Sequence, residues 1–159
     1  MKSLATLLER DAFMPREDIA KILNISVEEV NRRISQLEAN GVILGYHALI
    51  NRDLAERDIV TAIIEVKIMP ERDGGFDRIA ERISNFEEVR GCYLMSGGYD
   101  LLVTVEAPNL RGIAAFVSDK LSAVGAVQAS ATHFRLKTYK ENGIFHNPTV
   151  ETERLSVSP

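Results

Sequence analysis

Between residues 26 and 36 the chain carries Ser26, Glu28, Asn31, Arg32, Arg33, Ser35 and Gln36, a set dense in hydrogen-bond donors and acceptors. The chemistry open to such a set is recognition rather than bond breaking. A guanidinium can take guanine in a bidentate contact, and a carboxamide can take adenine. Their spacing is helical. At 100° per residue, Val30, Ile34 and Leu37 share about 60° of arc with Val27 beside them, while Glu28, Arg32, Ser35 and Gln36 point the opposite way. One face is core and the other is polar. For an isolated helix, a polar face of this kind is simply its solvated side.

A second set is Ser96, Gly97, Gly98, Tyr99 and Asp100. Adjacent glycines let a ligand approach the backbone, exposed turn amides suit a carboxylate, and the Asp100 carboxylate suits an α-amino group. The same residues also suit a plain turn, with the glycines meeting its geometry and Asp100 capping it. Elsewhere the chemistry is sparse. His47, His133 and His146 are far apart without ligand-like spacing, so structural or surface roles are expected and no metal site. Gly74-Gly75 and Gly97-Gly98 lack the flanking glycines or lysine of a phosphate loop and read as turns. Cys92 is the only cysteine, which excludes an intrachain disulfide; it reads as a small buried hydrophobe and points to a reducing cytoplasm. No catalytic constellation is present, and no enzyme is expected.

The elements that must position these residues follow from periodicity. Leu4, Leu7 and Leu8 repeat at helical spacing, and Glu9, Arg10 and Asp11 interrupt the apolar run, so an amphipathic helix is expected there rather than a secretory leader. Pro15 suits the first turn of a second helix whose inner face is Ile19, Ala20, Ile22 and Leu23. Asn24-Ile25 leaves room only for a tight turn. Ser26 and Glu29 then form a capping box for a third helix, which ends at Asn40-Gly41. Residues 42–50 read as a strand broken by a glycine, and the polar stretch 51–58 as a linker. Strands are predicted over 59–68, 89–95, 99–106 and 127–139. One helix is expected on Phe76, Ile79, Ala80 and Ile83, and another on Leu110, Ile113, Val117 and Leu121. The order β-α-β-β-α-β is that of a ferredoxin-like fold, an antiparallel sheet with both helices on one face. Its other face needs cover, most simply from a second subunit.

Charge restrains the reading only mildly. The chain carries a formal charge of -4, yet its first 52 residues hold seven basic and seven acidic side chains, so the whole deficit lies in the remainder. Nucleic-acid binding depends on a local surface more than on the total.

Two stretches resemble the Lrp/AsnC family of leucine- and asparagine-responsive regulators, also called feast/famine regulatory proteins. In the first, Ile19-Ala20, Leu23-Asn24-Ile25-Ser26 and Val30-Asn31-Arg32-Arg33-Ile34 lead into residues 37–46, Leu-Glu-Ala-Asn-Gly-Val-Ile-Leu-Gly-Tyr. In the second, Gly97-Gly98-Tyr99-Asp100-Leu101-Leu102-Val103 is similar to the family's hairpin turn. The order of elements fits over roughly residues 4–140. Helix one starts almost at residue 1, without much of the leader usual in the family.

The resemblance implies an α+β chain: an N-terminal winged helix-turn-helix (1–50), a linker (51–58), a ferredoxin-like ligand-sensing and dimerisation domain (59–140) and a C-terminal extension (141–159). It implies a cytoplasmic transcriptional regulator that binds double-stranded DNA, forms a homodimer assembling to a tetramer or octamer, has no membrane association, and takes an amino acid or related metabolite as effector, with no other cofactor. It also selects among the open readings. The amides at Ser26 and Val27 would meet a phosphate, Glu28, Asn31, Arg32, Ser35 and Gln36 would approach bases or sugars, and Arg33 would take a phosphate. Glu28 would accept from cytosine or orient Arg32 one turn away. Ser96 to Asp100 becomes the effector site, near the contact between dimers. Phe145, Val150, Leu155 and Val157 would dock on a neighbouring subunit or fray. A competing expectation, prompted by the acidic total, is a ligand-sensing oligomer whose helix-turn-helix serves protein interaction.

Overall fold

Helix α1 (Leu4–Arg10) begins where the Ser3 hydroxyl accepts the Thr6 amide at 3.2 Å, satisfying one of the free donors of a helix start. The computed structural model describes residues 3–55, 59–69 and 75–146, and the chain divides into two units, Met1–Leu49 and Ile50–Pro159. Pro15 stands just before helix α2 (Arg16–Leu23), one position earlier than a first-turn proline, and its carbonyl accepts the Asp18 and Ile19 amides. Asn24 then adopts a left-handed φ of 54°, a conformation that asparagine tolerates better than most residues, and the chain turns into α3 (Val27–Ala39).

Leu4, Leu7, Leu8, Ile19, Ala20, Val30 and Ile34 form the buried core of this unit. Each large member contributes roughly 1.5–3 kcal/mol of apolar burial. Ile22 is half exposed rather than inward. It lies about 110° around the helix from the middle of the arc that Ile19, Ala20 and Leu23 span, too far to reach a core of three short helices. Helix α3 ends as expected, with Gly41 at φ 68° and the Val42 and Ile43 amides both donating to the Leu37 carbonyl. The strand predicted over 42–50 is not formed. Val42, Leu44 and Tyr46 are exposed, and no ladder pairs this segment with the described residues. Alternating apolar residues allow an extended chain, but a strand also needs a neighbouring edge.

The second unit is built on a four-stranded antiparallel sheet in the order β2-β3-β1-β4: β1 (Val60–Ile68), β2 (Val89–Leu94), β3 (Leu101–Ala107) and β4 (Val127–Phe134). Helix α4 (Asp77–Ser84) connects β1 to β2, and α5 (Leu110–Ala115) with its continuation connects β3 to β4. This is the ferredoxin-like arrangement predicted above. Residues of β3 alternate strictly between buried and half-buried, as two-fold side-chain alternation requires. Ala62, Ile64, Val66 and Ile68 join Leu101, Val103, Val105 and Ala107 on the inner face, beneath Ile79, Ile83, Ile113, Phe116 and Leu121.

Of the face expected for α5, Ile113 and Leu121 are buried and Val117 packs half-buried against the core, whereas Leu110 is exposed and Phe116 is buried in addition. The helix widens into a π-helical turn at Phe116–Leu121. The wider turn puts the residue five positions on, rather than four, over the same core. Strand β4 stops at Phe134, five residues short of expectation: Phe134 faces Ala62, two residues inside the end of β1, and one last bond joins the Arg135 amide to the Thr61 carbonyl. A small hairpin follows, β5 (Lys140–Glu141) and β6 (Ile144–Phe145), turning through Asn142 and Gly143, both at positive φ. Asn-Gly is the favoured pair for a two-residue hairpin turn. The expected boundary at 140/141 falls inside this hairpin. Phe145 is exposed, and Val150, Leu155 and Val157 lie outside the described residues, as does most of the turn expected around Gly74. No helix among the described residues is long and apolar enough to cross a membrane.

Candidate functional site

Helix α3 is held by its apolar stripe. Val30 and Ile34 are buried, whereas Glu28, Asn31, Arg32, Arg33, Ser35 and Gln36 are exposed together on the outer side. Ser26 is also exposed and Val27 half-buried, so all eight predicted residues form one continuous surface from the start of the helix along its outer face. At the helix start the Ser26 hydroxyl accepts the Glu29 amide at 3.2 Å. This is only half of the capping box that the sequence suggested, because the Glu29 carboxylate does not reach back.

The Glu29 carboxylate grips both arginines instead. Arg32 donates Nε to one carboxylate oxygen and Nη2 to the other, each at 2.7 Å, and Arg33 donates Nε at 2.7 Å to the oxygen that Nη2 uses. Hydrogen bonds from Arg32 and then Arg33 hold the Glu29 carboxyl down at about 2, and the same pairing raises the Arg32 guanidinium. The expectation that Glu28 orients Arg32 is therefore corrected: Glu29 does so, three residues away. Glu28 is drawn to the helix start, where bonds from its own amide and from Ser26 lower its carboxyl. A carboxylate at the second helical position has free amides within reach, and they compete successfully with a distant guanidinium. At the far end of α3, the Tyr46 hydroxyl donates to Glu38 at 2.9 Å, and loss of hydration together with that carboxylate raises the phenol.

The second predicted set lies on the connection between β2 and β3. The Met95 amide donates to the Asp100 carbonyl at 2.8 Å and closes the turn. Ser96, Gly97 and Gly98 are exposed, while Tyr99 and Asp100 are half-buried. Gly97 has φ 135°, which a side chain rarely adopts, and a methyl group at either Gly97 or Gly98 would meet nothing within 4 Å. Space above this turn is open. Asp100 has a structural duty: its Oδ2 accepts the Ile68 amide at 2.9 Å, and its own amide donates to the Val66 carbonyl at 3.0 Å. That bond caps the end of β1, where the pairing with β4 shifts register between Lys67 and Ile68.

Two features escaped the sequence reading though each carried a signal. An acidic residue three and four positions before two arginines is the spacing of helical ion pairs, and it marked Glu29. Asn142-Gly143 marked the final hairpin, which positions His146 so that its carbonyl accepts the Asn51 side-chain amide at 3.1 Å.

Comparison with known proteins agrees with both units. Residues 6–43 match the family model for a winged helix-turn-helix DNA-binding domain, and residues 61–145 that for the Lrp/AsnC ligand binding domain. The chain is 43% identical over 154 residues to the HTH-type transcriptional regulator YugG of Bacillus subtilis, covering 96% of this chain and 93% of that one. It is 34% identical to the HTH-type transcriptional regulator LrpA of Pyrococcus abyssi, covering 79% and 86%. Among solved structures, a Neisseria meningitidis transcriptional regulator in complex with L-methionine superposes with a TM-score of 0.68 at 24% identity, covering 87% of this chain and 88% of that one. The leucine response regulatory protein of Mycobacterium tuberculosis gives a TM-score of 0.71 at 23% identity, covering 87% and 92%.

Proposed function

We propose a mechanism from one premise: this chain belongs to the Lrp/AsnC family of transcriptional regulators. It is a DNA-binding helix-turn-helix regulator and not an enzyme. Our reading is that α3 enters the major groove as the recognition helix. Arg32, Asn31 and Gln36 face base edges, Ser35 and Glu28 assist, and the amides at Ser26 and Val27 with Arg33 take phosphates. The observation that carries this is the continuous exposed polar face of α3, set on a buried apolar stripe and starting at free helix amides. Selection of duplexes from a random pool by the purified protein tests it. A recovered sequence motif, bound with affinity that falls steeply as salt rises, supports the reading, and recovery of random sequence refutes it.

The second unit senses a small molecule in this reading, with an amino acid as effector and the turn at Ser96, Gly97, Gly98, Tyr99 and Asp100 as its site. The open space over Gly97 and Gly98, the half-buried Asp100 carboxylate and the L-methionine bound by the Neisseria relative support it. Calorimetry with the twenty amino acids tests it: no heat with any of them removes the effector. The outer face of the sheet carries Ile63, Tyr93 and Leu102, and we place a second copy of the chain across it, giving a cytoplasmic homodimer able to assemble into a tetramer or octamer. A ligand bound between dimers then shifts assembly and with it the spacing of the recognition helices.

A second reading has one observation in its favour. Glu29 occupies both arginines of α3 in a chain with a charge of -4, which also suits a helix-turn-helix turned to protein contact. An affinity for DNA that is weak and indifferent to salt would favour that alternative.

A further inference from the structure

Glu29 sits in the first turn of α3 with 27% of its side chain exposed, beneath the more open side chains of Arg32 and Arg33 at 56% and 46%. We propose that Glu29 is a specificity-determining positioning residue, which holds Arg32 in the geometry that reads a base and withholds charge that would attract any duplex. This rests on the reading of α3 as the recognition helix.

The argument is one of donors and edges. A guanidinium has five N–H groups, one on Nε and two on each Nη. Glu29 takes the Nε–H and one Nη2–H of Arg32, so its side edge is closed. Of the three N–H groups that remain, two form the end-on pair, one from each Nη. That pair is a fork that matches two adjacent acceptors, as on the major-groove edge of guanine. Without the carboxylate, a long, exposed arginine samples many rotamers and must be ordered on binding. The third bond, from Arg33 Nε, leaves that residue its two Nη groups for a phosphate.

Charge works in the same direction. Helix α3 carries Glu28, Glu29 and Glu38 against Arg32 and Arg33, so it is net acidic. Random duplexes are held mainly by counterion release, which that balance weakens, whereas a guanine contact survives because the free fork is still offered. Exposed ion pairs add little to folding, so the effect of Glu29 belongs to recognition rather than stability.

The test uses the full-length protein, the duplex that the wild type selects from a random pool, and a scrambled duplex of equal length. Glu29→Gln retains the cap, because the Ser26 hydroxyl accepts a main-chain amide, and circular dichroism checks that the helices persist. Glu29→Gln is expected to bind the scrambled duplex more tightly, with a salt slope steeper by about one. Its ratio of selected to scrambled affinity should fall roughly fivefold or more. Glu38→Gln removes a carboxylate of the same helix that holds neither arginine and has no part in the proposed DNA contacts, and should raise both affinities alike. In an Arg32→Ala background, Glu29→Gln should leave the ratio unchanged. An unaltered ratio in Glu29→Gln, an equal fall in Glu38→Gln, or the same fall without Arg32 overturns the proposal. If the wild type selects no sequence, the recognition-helix reading fails and takes this inference with it; if it does select one, the variants judge Glu29 alone.

Discussion

Arg32 and Arg33 are neighbours in sequence, yet the 100° between them on α3 assigns them different tasks. Arg32 lies on the outer face and Arg33 nearer the edge of the apolar stripe. Arg32→Ala is expected to cost about 1–3 kcal/mol on the selected duplex and to relax discrimination at one base pair. Arg33→Ala should weaken selected and scrambled DNA alike and lower the salt slope by about one. Fluorescence anisotropy with both duplexes separates the two; equal losses in the Arg32 variant would remove the base contact. The carboxylate that joins them has its own signature. With its carboxyl held at about 2, Glu29 stays ionised throughout the range in which DNA binding is measured. Because its folded value is depressed, the pairing is complete above the ordinary carboxylate range and is lost as pH falls through about 2. Carboxyl-carbon NMR should place its midpoint near that value. A midpoint in the ordinary range would mean that the grip is absent in solution.

Among elements, the connection from β2 to β3 shows how one short turn serves structure and is proposed to serve ligand binding. Gly97 is required by its φ of 135°, so Gly97→Ala should destabilise the protein by about 1–3 kcal/mol. Gly98 has open space and no such φ, so Gly98→Ala should melt close to the wild type. If Gly98→Ala nevertheless abolishes the heat of amino-acid binding, the turn lies against the ligand. Asp100 needs more care, because removing its carboxylate also orphans the Ile68 amide. Asp100→Ala is expected to cost about 1–2 kcal/mol of stability for that reason alone. Asp100→Asn keeps an oxygen to accept the amide and removes only the charge. It should therefore stay folded and lose affinity for the α-amino group. Unchanged affinity in calorimetry would move the effector away from Asp100.

For the whole molecule, the main expectation is a dimer built across the outer face of the sheet. The inner face is closed by α4 and α5, whereas Tyr93 on the outer face is 56% exposed and opposite Leu102. Sedimentation at micromolar concentration should give at least twice the monomer mass. Tyr93→Glu should lower that mass while leaving the fold intact, since the ring is already outside the core. A monomeric wild type would end the expectation, and a dimeric variant would move the interface elsewhere. Two linked recognition helices would then read half-sites about one helical turn, roughly 34 Å, apart.

Local periodicity and turn chemistry determined most of what the chain does on its own. The three helices, the Ser26 start and Gly41 end of α3, its polar face and the βαββαβ order were all legible, because each depends on residues within a turn or two of one another. Tertiary packing decided the rest. Residues 42–50 carry a strand pattern without a strand, since pairing requires an edge that the pattern cannot supply. Strand β4 follows β1 only as far as Ala62, a fact about a partner some seventy residues away. A π-helical turn sets Phe116 and Leu121, five residues apart, over one core. Asp100 has local capping chemistry, but the amide it caps belongs to Ile68 on another strand. Which carboxylate holds Arg32 was settled by competition for Glu28 at the helix start, where free amides and the Ser26 hydroxyl outweigh a guanidinium one turn away.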